Sequence, residues 1–193
     1  GEGRMAEPKD IVSFIEKDLL DKLPLKGKKL LLTAGPTYEA IDPVRFIGNH
    51  SSGKMGFAIA KTAANLGAEV ILVAGPSAQT IQHSFVKRID VKSAEEMYTE
   101  AHKYFKESDI AILSAAVADY RPKNVATQKI KKKDASIEIV LEKTKDILAS
   151  LGEIKEHQLL VGFALETNNE EENAIGKLKK KNLDLIVLNS LQD

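Results

Sequence analysis

Four almost uninterrupted apolar runs constrain this chain more than any other feature: 29–34 (KLLLTA), 69–74 (EVILVA), 109–114 (DIAILS) and 158–164 (QLLVGFA). None alternates apolar with polar, so as strands they need cover on both faces. Shorter runs at 85–91 and 184–188 read as further strands. Segments with helical spacing fall between them, at 53–66, 93–107, 145–155 and 170–182, with another ahead of the first strand at 11–23. Strands alternating with helices imply a parallel sheet covered on both sides. Ser93 with Glu96 three residues later marks one helix start as a capping box. Gly67 marks the end of another helix.

The rhythm breaks between 119 and 141. Arginine and proline interruptions and a lysine run precede 136–141 (SIEIVL), which alternates like a half-exposed strand. The expectation is therefore an α/β fold: a Rossmann-like, doubly wound, mostly parallel sheet with helices on both faces. A strand and loop arm protrudes from it near 119–141. Such sheets bind ligands beyond the C-terminal ends of their strands. Those ends feed 35–56, 75–80, 114–133, 164–169 and 189–193. The two most unusual stretches of the sequence, 45–56 and 114–133, are both among them.

Composition narrows the chemistry. Twenty-eight basic and 28 acidic residues cancel, so no global field favours nucleic acid or an anionic membrane. No apolar run approaches the roughly 18 residues of a membrane span, and no signal-peptide layout opens the chain. With no cysteine, thiol nucleophiles, disulfides and Cys-ligated zinc are excluded. That composition fits a cytoplasmic protein. His50, His83, His102 and His157 show no ligand spacing, and no metal site is assigned.

In 45–56 (RFIGNHSSGKMG), Ser51, Ser52 and Gly53 sit where a helix begins, so its amides and dipole favour an anion, with Lys54 and Arg45 adding charge. The plainer reading is a capped helix with no ligand. Residues 48–54 satisfy G-x-x-x-x-G-K, but Met55 stands where a P-loop needs Ser or Thr. A nicotinamide-binding oxidoreductase is disfavoured too, since neither the glycine fingerprint nor the acid at the second strand end is present. In 114–133, small residues after a strand allow close approach of backbone or a planar ligand. Asp119 there suits a base amine or a metal. The run 129–133 suits a polyphosphate, or is simply a solvated charge run. Lys177 and 179–181 carry the same two readings. Many anion-binding groups and few acid–base groups suit nucleotidyl transfer, in which positioning and charge cancellation do most of the work. A nucleotide-binding module without chemistry is the rival reading.

The segments 33–39 (TAGPTYE), 41–45 (IDPVR), 49–56 (NHSSGKMG), 115–120 (AAVADY), 129–132 (KIKK), 161–167 (VGFALET) and 181–184 (KNLD), in that order, resemble the phosphopantothenate–cysteine ligases. KIKK resembles the bacterial, CTP-using branch. The opening 3–8 (GRMAEP) resembles the end of the flavin-dependent decarboxylase that many bacteria fuse ahead of the ligase.

The resemblance implies that 1–25 are a decarboxylase tail and linker helix. It also implies that 26–193 form the ligase domain, without the family's C-terminal stretch. The implied reaction needs CTP as co-substrate and Mg2+, and joins cysteine to 4'-phosphopantothenate through an acyl-cytidylate. FMN belongs only to the decarboxylase half, absent from this chain. Carried over by motif, Asn49 holds the acyl group and intermediate with Arg45 near it. Ser51, Ser52, Gly53, Lys54, Ala115 and Ala116 border the same site. Gly35, Asp119, Lys129, Asp146, Phe163, Lys177 and Lys181 bind CTP, and Lys129 assists the first step. The implied partners are these small molecules and a second copy of the chain, with neither nucleic acid nor membrane.

Overall fold

The computed structural model describes residues 5–131, 136–166 and 169–190. Gly3 and Arg4 of the opening segment, Lys132 and Lys133 of the lysine run and Thr167 lie outside the described residues. In chain order the elements begin α1 (Pro8–Asp21), β1 (Lys29–Ala34), β2 (Tyr38–Ala40), β3 (Phe46–Gly48), α2 (Lys54–Asn65), β4 (Glu69–Ala74) and β5 (Val86–Asp90). They continue with α3 (Ala94–Phe105), β6 (Ile110–Leu113), β7 (Tyr120–Pro122), β8 (Leu141–Lys143), α4 (Ile147–Glu153), β9 (Leu159–Glu166), α5 (Glu170–Lys180) and β10 (Leu185–Ser190).

Six strands form one sheet in the order β10-β9-β6-β1-β4-β5, every neighbouring pair parallel. The chain winds outward from β1 through β4 to β5, then returns to the other side of β1 and winds outward again through β6, β9 and β10. The direction of winding reverses between β1 and β6, which makes that gap the topological switch point. This is the α/β, Rossmann-like sheet expected from the apolar runs.

Alternate residues of β1 serve two cores. Leu30, Leu32 and Ala34 face α2, packing with Phe57, Ala60, Ala63 and Ala64. Leu31 faces the opposite layer, with Met97 and Phe105 of α3 and Ile147 and Leu151 of α4. Leu31, Leu32, Leu72 and Phe105 are fully buried, each worth roughly 1.5–3 kcal/mol of transfer free energy. Small residues on α2 let that helix lie close to the sheet. The capping box on α3 is present: Ser93 accepts from the Glu96 N–H, and Glu96 accepts from the Ser93 N–H. By contrast α1 buries none of its residues, and Phe14, Leu19 and Ile15 stay exposed.

Two local expectations are corrected. The alternating segment 136–141 is a strand only at its last residue; β8 instead covers Leu141–Lys143 and pairs antiparallel with β7. Ile137, Ile139 and Val140 are exposed, so alternation has no buried face to stabilise it here. The ribbon is held at Arg121–Glu142, 2.9 Å. Within 35–52, where no strand is expected from the sequence, β2 and β3 form a small hairpin with Tyr38 stacked on Phe46 at 3.9 Å.

The turns after β1 and β4 cross almost in contact. A Cβ on Gly75 would lie 1.7 Å from the Pro36 carbonyl oxygen, whereas one on Gly176, in the exposed middle of α5, meets nothing within 4 Å. Gly75→Ala is therefore expected to cost roughly 2–4 kcal/mol in urea unfolding, and Gly176→Ala to gain roughly 0.5–1 kcal/mol. Equal effects at the two positions would contradict this packing.

Candidate functional site

A half-open cleft of about 520 Å³ lies at the switch point, beyond the C-terminal ends of β1, β6 and β9. Its size is that of a small-molecule site. Thr33, Leu113, Ala115, Val117 and Phe163 form its floor; Asp119, Tyr120, Lys143, Lys145, Asp146 and Lys181 rise around it. The floor is narrow because β6 ends in small residues. The Thr33 hydroxyl accepts from the Ala115 N–H, and that of Thr37 from the Ala118 N–H. Pro36 forms a parallel bridge to Ala116. The β1 turn thereby holds 115–118 in an extended course across the cleft.

Charge is distributed unevenly around this cleft. Asp146 caps α4 through the Ala149 N–H at 2.9 Å and pairs with Lys181 at 2.8 Å. Desolvation opposes its ionisation, but the Lys181 ammonium, the Ala149 N–H and the nearby Lys180 charge hold its pKa below the usual carboxylate value. Lys145 pairs with Glu95 at 2.7 Å and sits over the Tyr98 ring. Lys143 and Lys145 were missed as site residues, because 143–146 is short and carries no pattern on its own.

A second cluster adjoins the first. Asn49, at the end of β3, donates its amide N–H groups to the carbonyls of Val117 (3.0 Å) and Ala116 (3.4 Å). This bond ties 45–56 to 114–133, two segments far apart in sequence. Nearby, Asp42 is wholly buried while the Arg45 side chain remains 42% exposed. One Asp42 oxygen accepts the backbone N–H groups of Val44 and Arg45; the other accepts the Arg45 guanidinium at 2.6 and 3.0 Å and the Ile130 N–H at 3.1 Å. Arg45 also donates to the Ile130 carbonyl at 2.7 Å. Burial opposes ionisation of Asp42, yet these donors together hold its pKa far below the ordinary range. Sequence reasoning passed over Asp42, since a lone acid before proline carries no signal of its own.

At the start of α2 the N-cap is Gly53 in the left-handed region, φ 76°, seated against Gly35. Ser51 and Ser52 precede it. Their hydroxyls accept the Gly53 and Lys54 N–H groups, each at 3.3 Å, so two of the amides expected to face an anion already have local partners. Lys54 is exposed. Gly35 accepts from the Ala116 N–H, which brings it beside the cleft floor.

The fold thus gathers Ala115, Asp119, Asp146, Phe163 and Lys181 around the cleft. Asn49 reaches the cleft through its bond to Val117, Arg45 holds Ile130 next to Lys129, and Gly35, bonded to Ala116, packs against the Gly53 that follows Ser51 and Ser52. Lys177 lies one turn before Lys181 on the same side of α5, half-buried and outside the cleft lining. Lys129 is exposed, and it too is no part of the lining. Among the described residues no three His, Cys, Asp or Glu side chains form a metal-binding group, and no helix is long and apolar enough to cross a membrane.

The Asp42 environment sets a pH dependence. With a folded pKa below the ordinary 3.8, its stabilisation is complete above that value and is lost as pH falls through the folded one. The urea midpoint of Asp42→Asn should lie below wild type at about pH 6, and the gap should shrink between about pH 4 and pH 2. A gap independent of pH would mean that the buried carboxylate is not ionised.

Three relatives share this architecture or sequence. A solved structure, the C-terminal domain of the coenzyme A biosynthesis bifunctional protein CoaBC, is 51% identical with a TM-score of 0.76, covering 86% of this chain and 79% of that one. The Bacillus subtilis (strain 168) protein of the same name is 48% identical over 194 residues, covering all of this chain and 48% of its own length. A protein named cysteine/cysteine sulfinic acid decarboxylase, from an unknown prokaryotic organism, is 52% identical over 198 residues, covering all of this chain and 55% of its own. The chain spans about half the length of these two full-length relatives. Residues 25–193 match the family described as DNA/pantothenate metabolism flavoprotein, C-terminal domain, and the chain belongs to that family.

Proposed function

We propose that this domain joins cysteine to 4'-phosphopantothenate at the expense of CTP, a step in coenzyme A biosynthesis. The observation that carries the reading is the Asn49 bond to the Ala116 and Val117 carbonyls. It sets an amide beside a nucleotide-sized cleft edged with lysines. Membership of a family that includes the C-terminal domain of CoaBC supports the same reading.

On this reading a carboxylate oxygen of phosphopantothenate attacks the α-phosphorus of CTP. The bond to the β-phosphate breaks, releasing pyrophosphate and leaving an acyl-cytidylate. The amine of cysteine then attacks the acyl carbon, loses a proton, and CMP departs with the former carboxylate oxygen. The first step brings two anions together, so cancelled charge is its chief requirement. Lys181 and Lys143 stand on the rim for the triphosphate, and Lys129 joins them from the arm. Phe163 and the small Ala115 leave room for a planar base, and Asp119 can accept from its exocyclic amine. Asn49 can donate to the acyl oxygen without adding a titrating group.

Magnesium commonly uses one or two carboxylates together with substrate phosphates. Asp146, which lines the cleft beside Lys181, fits such a role. The ion would supply charge neutralisation of the leaving pyrophosphate. The domain would work in the cytoplasm, fused to a flavin-dependent decarboxylase and paired with a second copy. Exposed Ile137, Val140 and Leu141 on the arm support that pairing.

Incubation with CTP, Mg2+ and phosphopantothenate is expected to release pyrophosphate and to accumulate acyl-cytidylate until cysteine is added. CTP binding without release would favour a non-catalytic nucleotide-binding module, and no CTP binding at all would defeat both readings. Lys129→Gln should slow pyrophosphate release by about 10²-fold. Asn49→Asp should instead slow the use of the intermediate, seen as acyl-cytidylate that persists after cysteine is added.

A further inference from the structure

We infer that Asp42 is a positioning residue that latches the lysine-bearing arm to the site. The turn between β2 and β3 could be closed by one carboxylate oxygen alone, the one that accepts from Val44 and Arg45. The second oxygen accepts the Arg45 guanidinium and also the Ile130 N–H, 88 residues along the chain. Arg45, oriented by that same oxygen, returns to the Ile130 carbonyl. Ile130 is therefore gripped at both its backbone groups by one half-buried ion pair.

A second pin lies four residues earlier, where the Ala126 N–H donates to the Ile41 carbonyl. Lys129 lies between the pins and adjoins the stronger one. Its ammonium hangs on a flexible stem, but the base of that stem is held beside Arg45. An ammonium so tethered loses less freedom on meeting a phosphate than one on a free loop. The latch thus sets the local concentration of the charge that, on the ligase reading, assists the first step.

An amide cannot substitute for this carboxylate. All five donors point at its two oxygens. An asparagine in either orientation turns its own NH2 toward two or three of them. Asp42→Asn should break the latch with almost no change in volume. Ile130→Pro removes the Ile130 N–H together with its side chain and leaves Asp42 and Arg45 in place.

Amide hydrogen exchange on this chain, without nucleotide, tests the latch itself. In Asp42→Asn the Ile130 amide should exchange at least tenfold faster, with the β1 and β6 amides unchanged. An unchanged Ile130 rate would overturn the latch. Pyrophosphate release tests its purpose, which rests on the ligase reading. Ile130→Pro should slow release about tenfold in the wild-type background and have no further effect in Lys129→Gln. Equal slowing in both backgrounds would show that the latch does not act through Lys129, and would overturn the positioning role. If wild type released no pyrophosphate, the ligase reading and this purpose would fall together, while the exchange result would still decide the latch.

Discussion

The structure depends on β1 having a parallel neighbour on each side, β4 and β6, with which its backbone is fully bonded. A strand in that position exposes neither edge nor face, and every residue of β1 after Lys29 is buried. The chain, having wound outward twice from β1 in opposite directions, must leave a gap where the two windings part. There the turns after β1 and β6 stay bridged, with Ala116 donating to the Gly35 carbonyl and accepting from the Thr37 N–H. The cleft is that gap. Its floor is built from Thr33 of β1, Leu113 of β6, Phe163 of β9 and the small residue Ala115 that follows β6.

Charge in and around the cleft follows a division of labour. Asp42, Asp146 and Glu39 have structural duties: a turn and a latch, a helix cap with an ion pair, and the Ala94 N–H at the start of α3. Their negative charge is answered by donors already present. Lys143 and the exposed Lys54 and Lys129 stand at its edge or beyond it on mobile stems. An incoming polyanion therefore meets cations more readily than carboxylates, although the chain as a whole carries no net charge.

Most of the framework was legible in the residues. The runs at 29–34, 69–74 and 109–114 became β1, β4 and β6 with small shifts of boundary, because continuous apolar character has no use except burial on both faces. The capping box at Ser93 was equally local, and equally right. The failures share one cause. Residues 136–140 alternate like a strand, but alternation needs a buried face and all five of these residues are exposed. The β2–β3 hairpin escaped notice because three-residue strands rely on partners, here the Tyr38–Phe46 stack, more than on their own pattern.

By itself the sequence determined a doubly covered parallel sheet, the segments that leave its strand ends, and the polar and basic residues those segments carry. These follow from local periodicity and residue chemistry, which need no knowledge of the rest of the chain. Only the tertiary structure decided which segments meet. Asn49 reaches the carbonyls of Ala116 and Val117, and Asp42 reaches Ile130, across 67, 68 and 88 residues respectively. It also decided that the serine hydroxyls before α2 turn back on their own amides, and that Asp146 serves a helix cap. Hydrogen bonds of this kind depend on positions in space, and two residues far apart in a sequence carry no mark of being neighbours until the sheet brings them together.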